Sequence, residues 1–171
     1  MYENKEEIAV IEVKVSAYDE TQLSITARTF YGDYGDTETV NSVSQKNNTE
    51  SDPNESEKDQ LVQILDFIGS KIIVTHDHGF EIFYVDNECG RLNVDKIANT
   101  VLDTRKLAQL IHPQVPSYDL NYLIFEIHGT TAPLCYMEKV ALLYFNLLQD
   151  AKNKGLDIYK AAIFSAEASA N

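Results

Sequence analysis

KIIVTHDHGFEIFYV (Lys71–Val85) and, after a short connection, VLDTRKLAQLIHPQVPSYDLNYL (Val101–Leu123) carry the pattern from which the architecture follows. Ile72-Ile73-Val74 is a short apolar run bounded by polar residues, the signature of a buried strand, and Phe80 to Val85 begins a helix with a stop expected near Gly90. Thr100-Val101-Leu102 repeats the strand pattern. Asp103 and Thr104 can then cap a helix containing Leu107, Ala108, Leu110 and Ile111, which Pro113 terminates, and Ser117 can cap a further helix with Leu120 and Leu123. Strand, helix, strand and helix in alternation predict parallel strands covered by helices.

Working toward the start of the chain, Ile8 to Val15 is apolar except for Glu12 and Lys14, while Leu23 to Phe30 alternates apolar and polar residues. These read as a buried strand and its hairpin partner, joined across Tyr18-Asp19-Glu20, with Tyr34 to Val40 a weaker third strand. NSVSQKNNTESDPNESEKD, residues 41–59, holds too little apolar surface to offset chain entropy and predicts a long flexible polar loop. Ser56 followed by Asp59 is a capping-box pattern for a helix with Leu61, Ile64, Leu65 and Ile68 on one face, ended by Gly69. Toward the end, Met137, Val140, Ala141, Tyr144, Phe145 and Leu148 mark a long amphipathic helix. Gly155 separates it from a last helix with a frayed AEASAN tail. The expected fold class is α/β, with a mixed five-stranded sheet flanked by helices.

The 171 residues, 44% of them hydrophobic, with seven Phe and ten Tyr, suffice for one buried core, so residues 1–171 are expected to form a single domain. A net charge of −13 excludes a general basic surface for nucleic acid, because phosphate binding depends on Lys and Arg displacing counterions. Any such contact must be local. Cys89 and Cys135 form neither a disulfide framework nor a zinc pattern, which fits a reducing compartment. The acidic start MYENKEEIAVIEV lacks the features of a signal peptide or a membrane span, so a cytoplasmic location and no membrane partner are expected.

The order of elements and the sequence Val74-Thr75-His76-Asp77-His78-Gly79-Phe80-Glu81 resemble the DnaQ-like 3′–5′ exonuclease family, whose fold is ribonuclease H-like. The resemblance covers roughly Ile8 to Leu148. PQVPSYDLNYL and DAKNKGLDIYKAAI look most like the exonuclease domain that precedes the helicase of DinG-type proteins. No Gly-x-x-x-x-Gly-Lys-Ser/Thr is present, so these residues hold no helicase motor. Such exonucleases use three motifs: Asp-x-Glu-Thr-Thr-Gly on the first strand, His-Asn-x-x-Phe-Asp after the fourth, and His-x-Ala-x-x-Asp entering the last long helix. Residues i and i+2 of a strand share a face, so two carboxylates converge there while two more approach from helices. Together they hold two divalent ions that activate water and stabilise the leaving oxygen, with the histidine as base.

Aligned on this pattern, Glu12 stands for the first Asp, Lys14 for the Glu, Glu81 for the second-motif Asp, Tyr136 for the third-motif Asp and Thr131 for the histidine. An ammonium at Lys14 should pair with Glu12 and repel a cation. His128 lies three residues early, in a loop that could return it to the site. Glu138 is about 200° around the helix from Tyr136 and should face elsewhere. His76 is expected to pack and hydrogen-bond at its strand end. His76 and His78 lack a third ligand, so no zinc site is expected.

The expected function is therefore an exonuclease-like domain of DNA metabolism with its metal site lost and no cofactor. It would act as a nucleic-acid-associated or structural module with a helicase or another replication or repair protein. An alternative is a divergent, metal-dependent 3′–5′ exonuclease that uses Glu12, Glu81 and His128 with Mg²⁺ or Mn²⁺ on a single-stranded 3′ end. Glu12 and Glu81 would then be the metal ligands. A third reading is a protein-interaction domain without a nucleic-acid role.

Overall fold

The computed structural model describes residues 6–15, 23–33, 36–46, 56–77, 79–159 and 163–164. Strand β1 (Glu7–Val15) runs antiparallel to β2 (Leu23–Asp33), with Ile8 opposite Phe30 and Lys14 opposite Ser24. The Tyr18-Asp19-Glu20 connection lies outside the described residues. The other edge of β1 pairs in parallel with β4 (Ile72–Thr75), which pairs in parallel with β5 (Val101–Asp103). Strand β3 (Asp36–Lys46) extends the antiparallel side, and β6 (Ile163–Phe164) closes the other edge antiparallel to β5. The order β3-β2-β1-β4-β5-β6 gives a mixed sheet in an α/β chain, the class expected.

Among the described residues the sheet has six strands, not the expected five. Ile163 and Phe164 are a β-favouring pair inside the alanine-rich segment expected to be helical, and their ladder to Leu102 and Val101 overrides local propensity. The polar loop expected over 41–59 is likewise contracted at both ends. Backbone pairing with β2 carries β3 through Lys46, because an edge strand needs ladder bonds more than apolar side chains, and the next helix begins at Glu57. Residues 47–55 lie outside the described residues.

Helix α1 (Glu57–Ile68) is capped as the sequence predicts: the Asp59 amide donates to Ser56 Oγ at 3.1 Å, and the Ser56 hydroxyl donates to the Asp59 carboxylate at 2.6 Å. Helix α2 (Phe80–Leu92) runs through Gly90 and ends at Asn93, whose left-handed φ of 54° closes the last turn. One interior glycine costs a helix only about 1 kcal/mol, which is too little to stop it. Helix α3 (Thr104–Ile111) has Asp103 as its cap, accepting from the Arg105 amide at 2.8 Å. Helix α4 (Leu120–Leu123) is capped by Asp119 and not by Ser117. The Asp119 carboxylate accepts from the amides of Asn121 and Tyr122, while Ser117 Oγ accepts from the Asp119 amide. A π-helical turn over Ile124–His128 follows, then α5 (Tyr136–Lys154), which Gly155 ends at φ 65°.

Helices cover both faces of the sheet and divide the apolar side chains into two cores. Ile8, Val10, Phe30, Val74 and Leu102 pack against α3, α4 and α5, while Ala9, Ile11, Val13, Ile25 and Ile73 pack against α1 and α2. Each buried Ile, Leu or Val contributes roughly 1.5–3 kcal/mol relative to exposure, so β1 is the best-anchored strand. No helix among the described residues is long and apolar enough to cross a membrane.

Two glycines give opposite predictions. A Cβ on Gly32 of β2 would lie 2.1 Å from the Phe145 ring of α5, whereas one on Gly90 would meet nothing within 4 Å. Gly32→Ala should cost about 1–3 kcal/mol by overpacking, and Gly90→Ala should gain about 0.5–1 kcal/mol of helix propensity. Urea unfolding of both variants measures the two shifts, which have opposite signs.

Candidate functional site

Alternation along β1 places Glu12 and Lys14 on the same face as Ile8 and Val10, the face that α5 covers. They emerge where the core ends. Lys14 Nζ lies 3.6 Å from Glu12 Oε2; the ammonium is 72% exposed and the carboxylate 22%. The ion pair expected from sequence is present, and its exposed cation limits it to about 0–1 kcal/mol of stability.

The second segment reaches the same place from the end of β4. After Thr75 the chain turns through His76 and Asp77, the latter held at φ 65°, and enters α2 at Phe80. Asp77 anchors the turn twice: its amide donates to Asp103 Oδ1 at 3.2 Å, and its carboxylate pairs with Arg105 at 2.9 Å. Glu81, the second residue of α2, is thereby directed inward and left only 7% exposed. The His76 imidazole spans Thr104 Oγ1 at 2.8 Å and the Tyr118 carbonyl at 3.0 Å, the strand-end packing role expected for it. His78 lies outside the described residues.

Tyr136 completes the cluster from the first residue of α5. Its hydroxyl donates to Glu81 Oε1 at 2.9 Å. Burial pushes the Glu81 pKa up. Its own backbone amide and the Tyr136 hydroxyl oppose that shift, and the nearby charges of Asp103 and Glu12 add to it. Burial, then the Glu81 charge, raises the Tyr136 phenol as well, so this oxygen keeps its proton. Glu81 Oε2 is buried without a hydrogen-bond partner.

Of the residues predicted from sequence, Glu12, Lys14, Glu81 and Tyr136 come together. Thr131 lies exposed in the loop before α5. His128 Nδ1 lies 3.4 Å from Oδ1 of Asn146, a buried residue ten positions along α5 from Tyr136, which corresponds to about 15 Å of helix rise. Glu138 accepts from the Cys135 amide at 2.8 Å and lies 3.9 Å from Arg28. Two participants escaped the sequence reading. Asp103, treated there as a helix cap, also places its charge on Glu81, Tyr136 and His76. Arg28, opposite Val10 on β2, shares the face of Glu12, and its guanidinium donates to Cys135 Sγ at 3.5 Å. Its register opposite the first-strand motif was the available signal.

The donor set does not fit the two-ion centre that the resemblance implies. A hard cation needs several anionic oxygens converging on it. Here one carboxylate faces an ammonium, another accepts a phenol proton, and the third-motif position holds that phenol. Among the described residues, no group of three or more His, Cys, Asp or Glu side chains is placed to hold a metal ion.

No family model matches the chain. Its sequence is similar to part of PolC-type DNA polymerase III: 29% identical over 126 residues to that of Pediococcus pentosaceus, covering 63% of this chain and 9% of the polymerase. The Listeria innocua polymerase is 29% identical over 98 residues, which is 54% of this chain and 7% of its relative. The matches thus span less than a tenth of these relatives' length. Among solved structures, exonuclease X in complex with 5′-overhanging duplex DNA superimposes with a TM-score of 0.48 at 13% identity, over 91% of this chain and 97% of that one.

The Glu81–Tyr136 pair fixes two stability predictions. Because the folded-state pKa of Glu81 is raised, the folded protein binds this proton more tightly than the unfolded chain. The stability it contributes is present at low pH and is lost as pH rises from the ordinary carboxyl range through the folded value. Glu81→Gln, whose amide oxygen can still accept from Tyr136, should therefore raise Tm at pH 7, with the gain vanishing near pH 4. Tyr136→Phe should cost about 1.5–3 kcal/mol at pH 7, the loss of a hydrogen bond to a charged acceptor. Thermal melts of wild type and both variants across that pH range check the two signs.

Proposed function

We propose that this chain is an exonuclease-like domain of DNA metabolism whose hydrolytic centre has been dismantled. It serves as a nucleic-acid-associated or structural module alongside a helicase or another replication or repair protein. One observation carries the reading: the Tyr136 hydroxyl bonds to Glu81 where the family pattern has a carboxylate. Its support is chemical. Phosphodiester hydrolysis in this fold depends on ions that polarise water and the leaving oxygen, and each lost ligand removes a transition-state interaction worth several kcal/mol. Lys14 beside Glu12 weakens the site for cations independently. The similarity to PolC-type polymerases favours a setting in DNA metabolism, and the resemblance of PQVPSYDLNYL to DinG-type proteins favours a helicase partner.

The net charge of −13 favours, as a second reading, a protein-interaction domain with no nucleic-acid role. Single-stranded DNA binding at low salt, weakening as salt rises, is expected under the first reading and would count against the second.

Catalysis is tested with 3′-labelled single strands and Mg²⁺ or Mn²⁺, comparing wild type with Glu81→Ala. The expected outcome is equal, background-level cleavage by both proteins. Metal-dependent degradation by wild type that disappears in Glu81→Ala would establish the divergent exonuclease instead.

A further inference from the structure

We propose that His76 is a proton-operated latch, tying the Thr104 hydroxyl to the Thr75 carbonyl when the imidazole is charged and releasing that tie when it is neutral. The argument is a count of protons along one chain of contacts. His76 Nε2 lies 3.0 Å from the Tyr118 carbonyl, which can only accept, so this nitrogen carries a hydrogen in either charge state. His76 Nδ1 lies 2.8 Å from Thr104 Oγ1, and Thr104 Oγ1 in turn lies 3.1 Å from the Thr75 carbonyl.

In the imidazolium all three contacts are satisfied together. Nδ1–H donates to Thr104, and Thr104 donates to Thr75. In the neutral ring Nδ1 is a bare acceptor, and the single Thr104 hydroxyl hydrogen cannot serve both partners; it turns to Nδ1 at 2.8 Å and leaves the Thr75 carbonyl at 3.1 Å. Thr104 is fully buried, so no solvent hydrogen replaces it. One proton on His76 therefore decides whether the end of β4 is tied by a side chain to the first turn of α3.

The surroundings set opposing influences on that proton. Burial disfavours the charged ring and is the strongest. Asp103 at the end of β5, Asp77 in the adjoining turn and the Tyr118 carbonyl ahead of α4 favour it, while Arg105 of α3, which is paired with Asp77, disfavours it. From α5, the Tyr136 hydroxyl engages the His76 backbone and Glu81 at once, so the latch lies directly beneath the carboxylate cluster. Burial prevails, and the ring titrates below the usual histidine value of 6.5. The latch is open at neutral pH and closes on acidification below the ordinary histidine range.

The test is an NMR titration from pH 7.5 to 4.5 that follows the His76 ring nitrogens and the Thr75 carbonyl carbon in wild type, Thr104→Val and Thr104→Ser. In wild type the two signals should move with one midpoint below 6.5. In Thr104→Val the His76 midpoint should fall further, and the Thr75 carbonyl shift should lose most of its amplitude. Thr104→Ser should behave as wild type. A Thr75 carbonyl that stays fixed while His76 titrates in wild type would overturn the proposal, as would an unchanged midpoint and amplitude in Thr104→Val. If the valine variant does not fold, the wild-type and serine titrations decide: both must show coupled midpoints.

Discussion

Burial of β1 on both faces is the constraint from which the site geometry follows. Ile8 to Ile11 are fully covered, alternate residues going to opposite cores, so the strand cannot slip by one position without exchanging its two faces. With register fixed, Glu12 and Lys14 must emerge on the α5 side. The parallel pairing of β4 against β1 then brings the turn at His76 and Asp77 alongside, and Glu81 enters from the first turn of α2.

What the frame delivers to that point is an uneven set of charges. Three carboxylates, Glu12, Glu81 and Asp103, interact electrostatically, and the groups that relieve them belong to the protein itself. Lys14 faces Glu12, a phenol proton faces Glu81, and backbone amides face Asp103. Buried carboxylates without a cation must be met by donors or protons, and here both devices are used. Most of the charge in the cluster is thus met from within the protein, while Glu81 Oε2 is buried without a hydrogen-bond partner among the groups described.

Most of this frame was legible in the sequence, for a physical reason. Strands β1, β2, β4 and β5 and helices α1, α3 and α5 are specified by apolar periodicity and caps, signals that survive wherever a face is buried. Strand β3 was read only over its first half, within Tyr34–Val40, and β6 was missed, because edge pairing is a tertiary interaction that leaves little trace in a polar or an alanine-rich segment. At the site, the Glu12–Lys14 pair was legible because i and i+2 on a strand share a face. The bond from Tyr136 to Glu81 was not, since it joins residues 55 positions apart and depends on how α5 is laid across the sheet. Asp103 was read as a cap and is one. Its second, electrostatic role needed the fold.

The central claim is that this cluster meets its charge from within the protein and does not bind a divalent ion. Paramagnetic broadening of amide signals on titration with Mn²⁺ tests it most directly, because the effect falls steeply with distance and reports binding without any need for turnover. At neutral pH the account predicts that the amides of Glu12, Glu81, Asp103 and Tyr136 keep their intensity at Mn²⁺ concentrations that broaden only distant exposed acidic positions such as Asp157, beyond the far end of α5. Selective, saturable broadening of those four amides at low Mn²⁺ would contradict it.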